Sequence, residues 1–539
     1  MKRRTFVRAG TAATLAAASG LGAATSAQAQ TAPAIGGRAR NLIHVPQSNL
    51  TSLDPVWTTA AATRNHAHLI WETLYGRDSK LDAKPQMLEG HLVEDGGRRW
   101  TMKLREGLRF HDGEPVRARD AVASIRRWMK RDQIGLTVEA RLDSLEATDD
   151  RTLVWRLSKP FAALPYSLCR HQPSCAIMPE RLAQTDPFKQ VPEIVGSGPF
   201  RFVANEFVTG SRAVYARNDA YVPRDEPVDY CAGGYRVMVD RVEWRFLPDA
   251  STAANALITG EVDWLEQPLP DLLPLLRRAE GVVVRPTDIY GTFAALRPNH
   301  MFAPTDNRLV RRAMLAAISQ QDVMTAMMGD QTDLYRAPVG YFLPGTPSAN
   351  DAGMDIVRKR HSPDDVLAML KEAGYNGERI VYLHPTVQTL YDAASHVLID
   401  AFRKVGLNID VVTTDWGTVV QRRASREPLD RGGWSLFPHG LPAAEYRDPI
   451  FAALVRTNGQ RGFFGWPDDK VTEEMRDRWI DSTDPAEQRK LDHEYQARAF
   501  HHVPFFPLGQ YFPPAAYRSW LSPPQQGVVP VFWGVEKNA

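Results

Sequence analysis

Cysteine is scarce in this sequence, which places three among its 539 residues: Cys169, Cys175 and Cys231. So few thiols exclude a small scaffold held together by disulfides. Cys169 and Cys175 lie close enough in the chain to close a small loop in an oxidising compartment, which would leave Cys231 free or buried. A metal site built on Cys169, His171 and Cys175 has unfavourable ligand spacing and no fourth ligand nearby. We therefore expect no metal, and whether Cys169 pairs with Cys175 stays open.

Beyond residue 29 the sequence lacks any apolar run long enough to cross a membrane. Its charges are nearly balanced, with 65 Lys and Arg against 63 Asp and Glu. The basic residues are dispersed along the chain and form no stripe, so nucleic acid is not an expected partner.

Motifs of common enzymes are missing as well. His493-Glu494 lacks the second histidine of a zinc-protease helix, and the adjacent His501 and His502 would diverge on a helix or strand. No glycine-rich phosphate loop is present, and Ser197 lacks the glycine that a nucleophile elbow needs two residues earlier. We therefore expect neither enzymatic activity nor a cofactor. A secreted hydrolase that uses dispersed carboxylates stays an alternative.

The first residues are typical of an export signal. MKRRTFVRAG contains the Arg3-Arg4 pair of a twin-arginine signal, an alanine-rich run follows over 12–24, and Ala27-Gln28-Ala29 fits a cleavage site. We predict that residues 1–29 are a twin-arginine signal peptide and that the protein is periplasmic. No cysteine lies near the cleavage site, so a lipid anchor is not expected. Because this route often carries proteins loaded with a cofactor, a cofactor-binding periplasmic protein is a further alternative.

The stretch 98–129 contains three structural signals in succession. Trp100, Met102 and Leu104 alternate with polar residues, as in a half-buried strand. Asp112-Gly113 then favours a turn. Apolar residues at helical spacing predict a helix after it: Ala121, Val122, Ile125, Trp128 and Met129.

Later segments predict an α/β arrangement. A strand at 380–383, an amphipathic helix at 390–405 that ends at Gly406, and a strand at 407–412 form a βαβ unit. Such a unit implies parallel strands joined by a right-handed crossover. The apolar, proline-rich tail from Val503 is more typical of an edge strand and a surface wrap.

Eight segments in order resemble the family 5 extracellular solute-binding proteins, the receptors of peptide, opine and nickel ABC importers. They are SLDP, IWETLYGRD, LREGLRFHDGEPVRARDAVAS, GSGPFRF, ITGEVDWLEQP, DNRLVRRAMLAAISQQDV, VLAMLKEAGY and VPFFPLGQ.

The resemblance implies an α/β fold with two lobes, that of a type II, cluster C periplasmic binding protein. Lobe one would hold 41–290, with an extra subdomain near 77–184. Lobe two would hold 291–502, and 503–539 would return to lobe one. The HDG stretch at 111–113 is better explained by a strand-to-helix turn than by catalysis.

The resemblance also implies a ligand enclosed between the lobes and delivered to the permease of an ABC importer, by a receptor that we expect to be a monomer. The family places an aromatic-rich strand and loop in the cleft, which here resembles 432–449. Six residues are therefore candidates for ligand binding: Trp434, Phe437, His439, Trp416, Tyr290 and Asp54. Core packing is the competing interpretation for each aromatic.

One departure bears on the ligand. Peptide-binding members resemble one another in an aspartate shortly after this tryptophan, which pairs with the peptide ammonium group. Here Ser435 follows Trp434, and no acid occurs before Glu445. A buried ammonium without its partner would lose about 3–5 kcal/mol. We therefore expect a small organic or modified amino-acid-like solute, with an oligopeptide or dipeptide receptor as the alternative.

Overall fold

The computed structural model describes residues 40–386 and 389–538. The predicted signal peptide, residues 1–29, lies outside the described residues. Within the described part, the strands are β1 (Asn41–Val45), β2 (Tyr75–Arg77), β3 (Ala83–Pro85), β4 (Leu88–Glu94), β5 (Arg99–Leu104), β6 (Leu142–Ala147), β7 (Thr152–Leu157), β8 (Phe200–Phe202), β9 (Arg212–Arg217), β10 (Arg241–Arg245), β11 (Trp264–Leu265), β12 (Val282–Pro286), β13 (Thr292–Pro298), β14 (Tyr335–Arg336), β15 (Ile380–Pro385), β16 (Ile409–Thr414), β17 (Leu436–Pro442), β18 (Phe506–Tyr511) and β19 (Pro514–Arg518).

The α-helices of the same ranges are α1 (Ala61–Ile70), α2 (Ala118–Met129), α3 (Gln133–Glu139), α4 (Leu164–Ser167), α5 (Glu180–Ala183), α6 (Ala250–Thr259), α7 (Leu273–Arg278), α8 (Arg308–Ala317), α9 (Gln320–Met328), α10 (Asp355–Arg358), α11 (Pro363–Glu372), α12 (Thr389–Lys404), α13 (Trp416–Arg422), α14 (Lys470–Asp481) and α15 (Pro485–His502). None of these helices combines the length and the apolar character needed to cross a bilayer.

Two large mixed sheets organise the described residues. A seven-stranded sheet has the order β12-β19-β11-β1-β10-β9-β8, and a six-stranded sheet has the order β14-β18-β13-β17-β15-β16. We call the part built on the seven-stranded sheet the first lobe; it also contains the four-stranded sheet β4-β5-β7-β6 and the pair β2-β3. The part built on the six-stranded sheet, with α8 to α15, is the second lobe.

The described chain passes from one large sheet to the other twice, between Pro286 and Thr292 and between Tyr511 and Pro514. The first passage lies beside the boundary that we predicted at 290. The second lies later than the predicted return at 503.

The tail strand β18 corrects the prediction of an edge strand. It pairs with β13 on one side and β14 on the other, and all of its residues are buried. Pro507 is accommodated because the β13–β18 register shifts between Ala294 and Ala295, where a missing N–H need not break a regular ladder. A proline in the sequence was therefore a poor guide to the strand's position.

The predicted strand, turn and helix of 98–129 are confirmed. Trp100, Met102 and Leu104 point into the core from β5, and Ile125 and Trp128 of α2 are fully buried against the same cluster. The turn between them is structural, because the His111 ring contacts the Gly198 carbonyl and the Gly196 N–H, both within the first lobe.

The predicted βαβ unit is also confirmed. β15 and β16 pair in parallel from Ile380↔Ile409 to Pro385↔Thr414, with α12 between them in the chain. Because β17 also runs parallel to β15, the carboxyl ends of these three strands lie at one edge of the six-stranded sheet. In open α/β sheets this edge is where ligands bind.

Candidate functional site

A buried cluster of charged side chains joins the two lobes. Arg77, at the end of β2, donates to Glu445 of the second lobe over 2.9 Å. Arg170 lies 3.2 Å from the same carboxylate and 3.1 Å from Asp132, which caps α3. Glu445 follows β17 in a short 3-10 turn.

The electrostatics of this cluster keep Glu445 ionised. Burial by itself would raise the pKa of this carboxyl, but Arg77 and Arg170 hold it below its ordinary value. The carboxylate is therefore neutralised by two arginines of the first lobe and is not available to a ligand ammonium.

Beyond this cluster the two lobes meet again where Arg423 of the second lobe donates to the Thr59 hydroxyl of the first over 3.2 Å. Nearby in the first lobe, His68 of α1 is partly exposed, and its pKa is lowered to about 3, chiefly by burial. Tyr391 of α12 combines the same two properties, with its pKa raised by burial. One of these residues comes from each lobe, and Arg64 of α1 lies near enough to Tyr391 to oppose the rise in its pKa. We call the region between α1 and the start of α12 the interlobe space, and the surfaces that face it its walls.

Helix starts position the wall formed by the second lobe. Tyr391 lies in the first turn of α12 and Trp416 begins α13, and their ring centroids are 5.4 Å apart. A Cβ added to Gly440 would lie 2.4 Å from the Tyr391 hydroxyl oxygen, so the tyrosine rests directly on the backbone of β17. Both helices start at the carboxyl edge of the sheet, which brings these rings to the interlobe space.

His439 of β17 stands between two aromatic rings. Its ring is nearly parallel to Trp416 at 6.5 Å and to Phe463 at 5.5 Å between centroids. Burial, with the nearby Arg423 and Arg297, lowers the pKa of His439 well below its ordinary value, so the imidazole is neutral. Among the described residues neither ring nitrogen has a hydrogen-bond partner. A neutral, unpartnered imidazole can offer one donor and one acceptor to a ligand.

Trp434 and Phe437 lie in a core cluster. Both side chains are fully buried, with ring centroids 5.0 Å apart, and both pack with Val381, Leu383 and Val419 beneath β15 and β17. Trp434, our first choice for stacking on a ligand, is therefore placed behind the wall. Its contribution to binding stays a prediction.

Asp54 and Tyr290 are engaged by other groups of the protein. Asp54 forms a 2.7 Å ion pair with Arg127 and accepts the N–H groups of Val56 and Val191, all in the first lobe. The Tyr290 hydroxyl donates to the Ser79 carbonyl over 2.7 Å. Both side chains are thus occupied, and a direct role in binding is an untested prediction for each.

The cysteine pairing that we considered is not formed. Cys169, Cys175 and Cys231 are all free and buried. The Cys169 thiol donates instead to the Tyr166 carbonyl, and His171 contacts His68 at 3.0 Å. His171 therefore lies beside α1, where two histidines whose pKa values are both lowered by burial share a hydrogen bond.

Several wall residues were missed at the level of sequence: Arg64, His68, His171, Tyr391 and Arg423. Tyr391 could have been found from the sequence. The start of α12 follows β15 and Asp415-Trp416 follows β16, and these two parallel strands end at the same edge of the sheet. The others come from three separate segments of the chain, namely α1, the loop at 171 and the end of α13, so local patterns do not indicate that they lie near one another.

The segment after Trp434 confirms that no acid is available there. The Ser435 hydroxyl accepts the Val381 N–H over 3.0 Å, and its carbonyl accepts the Asn299 N–H. Ser435, the residue before β17, therefore hydrogen-bonds to β15 and to Asn299.

Comparisons with known proteins agree on one family. Residues 82–461 match the model of the bacterial extracellular solute-binding proteins, family 5 Middle. A probable peptide ABC transporter periplasmic-binding protein of Sinorhizobium fredii (strain NBRC 101917 / NGR234) is 36% identical over 540 residues, covering 100% of this chain and 99% of that protein. A glutathione-binding protein of Escherichia coli (strain K12) is 25% identical over 517 residues, covering 90% of this chain and 91% of that protein.

Solved structures give the same architecture. A periplasmic binding protein from A. tumefaciens R10 in complex with agropinic acid has a TM-score of 0.76 and 19% identity, covering 93% of this chain and 99% of that chain. A dipeptide binding protein from Pseudoalteromonas sp. SM9913 in complex with Met-Leu has a TM-score of 0.77 and 16% identity, covering 92% and 100%. At these identities the likeness shows the fold, which is that of a two-lobed α/β binding protein.

Proposed function

Because the chain belongs to the family 5 bacterial extracellular solute-binding proteins, and is therefore a solute-binding receptor of the ABC-transporter type, we propose that it captures one small solute in the space between its lobes. The observations that support this proposal are two contacts across the lobes: Arg64 of α1 acts on Tyr391 at the start of α12, and Arg423 donates to the Thr59 hydroxyl. Ligand contacts with both walls favour the closed arrangement by the difference in affinity between the open and closed states.

The hinge follows from the two passages between the sheets. Segments 287–291 and 512–513 connect the large sheets, so rotation about them would separate the walls without unfolding either sheet. On this proposal the first lobe holds roughly 41–286 together with the tail from 514, the extra subdomain includes the four-stranded sheet, and the second lobe holds roughly 292–511.

The solute is proposed to lack a free ammonium group. No acid follows Trp434 until Glu445, and that carboxylate is shared by Arg77 and Arg170. The competing candidate is a peptide, favoured by the name of the Sinorhizobium relative. Tight binding of unselected di- to pentapeptides by the mature protein would support the peptide and contradict our proposal.

The decisive experiment identifies what the protein carries. Native mass spectrometry of the purified mature protein should show an added mass that disappears on denaturation, and the released solute should rebind to ligand-free protein. Trp416→Ala should weaken this rebinding, since Trp416 is half-buried at the wall. The control is Trp57→Ala, an exposed tryptophan, which should rebind normally. Failure of the released solute to rebind wild-type protein would refute the proposed capture.

Export, assembly and absence of turnover complete the proposal. The twin-arginine pair predicts periplasmic location, so the double change Arg3→Lys and Arg4→Lys should leave the protein in the cytoplasm on cell fractionation.

We propose that the receptor is a monomer and that its closed form docks on a membrane permease. Light scattering of the purified receptor tests whether it is a monomer. Its family consists of binding proteins, and a panel of esters and glycosides should show no turnover.

A further inference from the structure

Three side chains that can bind a metal ion meet between β15 and α12. His384 of β15 places its Nε2 2.7 Å from Oδ1 of Asp392, and His396 of α12 places its Nε2 3.5 Å from the same oxygen. All three ligand atoms lie within 4.8 Å of one another. Within the described ranges, no other group of three or more histidine, cysteine or acidic side chains brings its ligand atoms this close together.

The secondary structure brings the three side chains together. Asp392 and His396 are four residues apart on α12 and therefore lie on one face of the helix. His384 shares a strand face with Tyr382, whose hydroxyl donates to the Ser395 hydroxyl of α12 over 3.0 Å, so this face of β15 is directed at the helix. The two imidazole rings are nearly perpendicular, with centroids 5.0 Å apart, and approach the carboxylate from different directions.

The distances suit a common ion. Two ligands of one tetrahedral Zn²⁺ lie about 3.4 Å apart, because each is about 2.1 Å from the metal. The distances from Asp392 Oδ1 to the two imidazole nitrogens, 2.7 and 3.5 Å, lie on either side of this value. The His384 side chain is 6% exposed and held in place, whereas that of His396 is 71% exposed and free to adjust. An ion can therefore be bound without moving the strand.

The Asp392 carboxylate pairs only with histidines. Among the described residues no lysine or arginine lies within ion-pair distance of it. Its place in the first turn of α12 suits an acid, but a helix start does not explain two imidazoles directed at one oxygen. Elsewhere in the protein His44 lies 3.6 Å from Glu266 alone, and that carboxylate is also bonded to Gln47 and Asn65. The group around Asp392 is therefore distinct from an ordinary pair of a histidine and an acid.

The group lies apart from the interlobe space. Leu383, the neighbour of His384, points to the opposite face of β15, where Trp416 packs against its cluster. At 100° per residue, Asp392 and His396 point about 100° and 140° away from Tyr391 around the axis of α12. Since the His396 side chain is largely exposed, the group opens to solvent on the outer surface of the second lobe.

We propose that His384, Asp392 and His396 bind a divalent transition-metal ion of the Zn²⁺ type, at a site separate from the one that captures the solute. Two imidazole nitrogens and a carboxylate oxygen are donors that such ions prefer, whereas Mg²⁺ and Ca²⁺ prefer oxygen ligands throughout. Three protein ligands leave a position for water on the exposed side. The bound ion ties the start of α12 to β15 and so stabilises the second lobe. This inference goes beyond the proposed capture of a solute and does not depend on it.

The proposal departs from the expectation of no metal that we drew from the sequence. The ligands follow the spacing H-x7-D-x3-H across a strand and a helix, which matches no compact zinc motif. An acid and a histidine four residues apart are common on the solvated face of a helix. Only the packing of α12 on β15 adds His384 as a third ligand.

The test titrates tag-free mature protein, first stripped with EDTA, with Zn²⁺ in a calorimeter and then follows thermal unfolding. Wild type should bind one Zn²⁺ tightly, and Zn²⁺ should raise the melting temperature until EDTA is added. The same concentration of Mg²⁺ should have no effect. His396→Ala removes an exposed side chain, so it should fold as wild type and weaken Zn²⁺ binding on the order of a hundredfold or more, because residues that merely support a ligand already contribute about 10–100-fold. The control is His493→Ala, an exposed histidine of α15 in the same lobe, which should bind Zn²⁺ normally.

Two further variants and a crystal sharpen the test. Asp392→Asn removes the negative ligand and should also weaken Zn²⁺ binding, whereas His396→Asp supplies a carboxylate in place of the imidazole and should bind with intermediate affinity. Anomalous diffraction from Zn²⁺-loaded crystals should show a peak between Nε2 of His384, Oδ1 of Asp392 and Nε2 of His396. A peak only elsewhere, equal Zn²⁺ affinity of wild type and His396→Ala, or a stronger response to Mg²⁺ than to Zn²⁺ would overturn the inference. The solute released from wild-type protein should bind His396→Ala normally, and its loss there would contradict a separate site.

Discussion

Arg77 of the first lobe and Glu445 of the second form a 2.9 Å ion pair in which the arginine side chain is fully buried and the glutamate nearly so. The pair joins the two lobes. It also occupies Glu445, the first acid that follows Trp434 in the sequence.

Glu445→Gln should destabilise the protein by about 3–5 kcal/mol, because Arg77 and Arg170 would stay buried together without their shared carboxylate. Denaturant unfolding measures the change. The matched control is Glu193→Gln, whose ion pair with Arg181 is exposed and should be worth less than about 1 kcal/mol. Equal losses in the two variants would show that the interlobe pair does not hold the closed form.

Trp434→Ala should cost about 3–5 kcal/mol of folding free energy, because it opens a cavity in the core beneath β15 and β17. If Trp434 stacked on the ligand instead, Trp434→Ala would weaken binding without lowering the stability of the protein. Trp416 is a half-buried ring on the wall, so Trp416→Ala should lower the stability less than Trp434→Ala does and should weaken ligand binding more. The measurement pairs unfolding curves with titration of the released solute, and a reversed order of the two effects would place Trp434 in the site.

Asp54→Ala should be strongly destabilising while the affinity of the folded fraction is unchanged. The substitution leaves Arg127 buried without its carboxylate, at a cost of about 3–5 kcal/mol, and the contacts it removes all lie in the first lobe. Asp219→Ala, from an exposed pair with Arg217, is the control and should behave as wild type in both measurements. Loss of affinity in well-folded Asp54→Ala protein would restore Asp54 as a ligand contact.

Asp288 predicts a pH dependence of stability. Burial raises the pKa of this carboxyl to about 6, so the folded protein keeps a proton that the unfolded chain releases at lower pH. The stability associated with the protonated Asp288 carboxyl is fully present below the pKa that this group has in the unfolded chain. It is lost as the pH rises through about 4 to 6, by about 3 kcal/mol in total. Asp288→Asn can still accept from Tyr230 and the Tyr290 N–H, so it should gain stability relative to wild type across this window.

Unfolding free energies of wild type and Asp288→Asn, measured on both sides of that window, test the sign. Exposed Asp225→Asn serves as the control and should follow the wild-type curve. A difference between Asp288→Asn and wild type that shrinks as the pH rises would contradict the raised pKa.

Local patterns predicted much of the fold. The strand of Trp100, Met102 and Leu104 and the βαβ unit around α12 both follow from short-range periodicity. The tail strand β18 was misplaced because Pro507 is a strong local signal against a paired strand, and the register shift that accommodates it depends on β13.

The sequence indicated the aromatic segment 432–449, and the tertiary structure decides which of its rings are in the core. Phe437 and His439 are two residues apart on β17 and share a face of the strand, so their position along the strand and the packing of α13 separate them. Trp434 and Phe437 pack inward with Val419, while His439 meets Trp416 and Phe463.

By itself the sequence determined the family, the α/β lobes and the lack of an acid behind Trp434, because these depend on residue order and short-range spacing. The tertiary structure decided which charges are compensated. Arg422 and Arg423 are neighbours of one residue type, yet Arg422 donates to the carbonyls of Gly432 and Gly433, while Arg423 is buried against Thr59 of the other lobe. Successive residues on a helix point about 100° apart, so the direction of each side chain relative to a distant lobe fixed its partner.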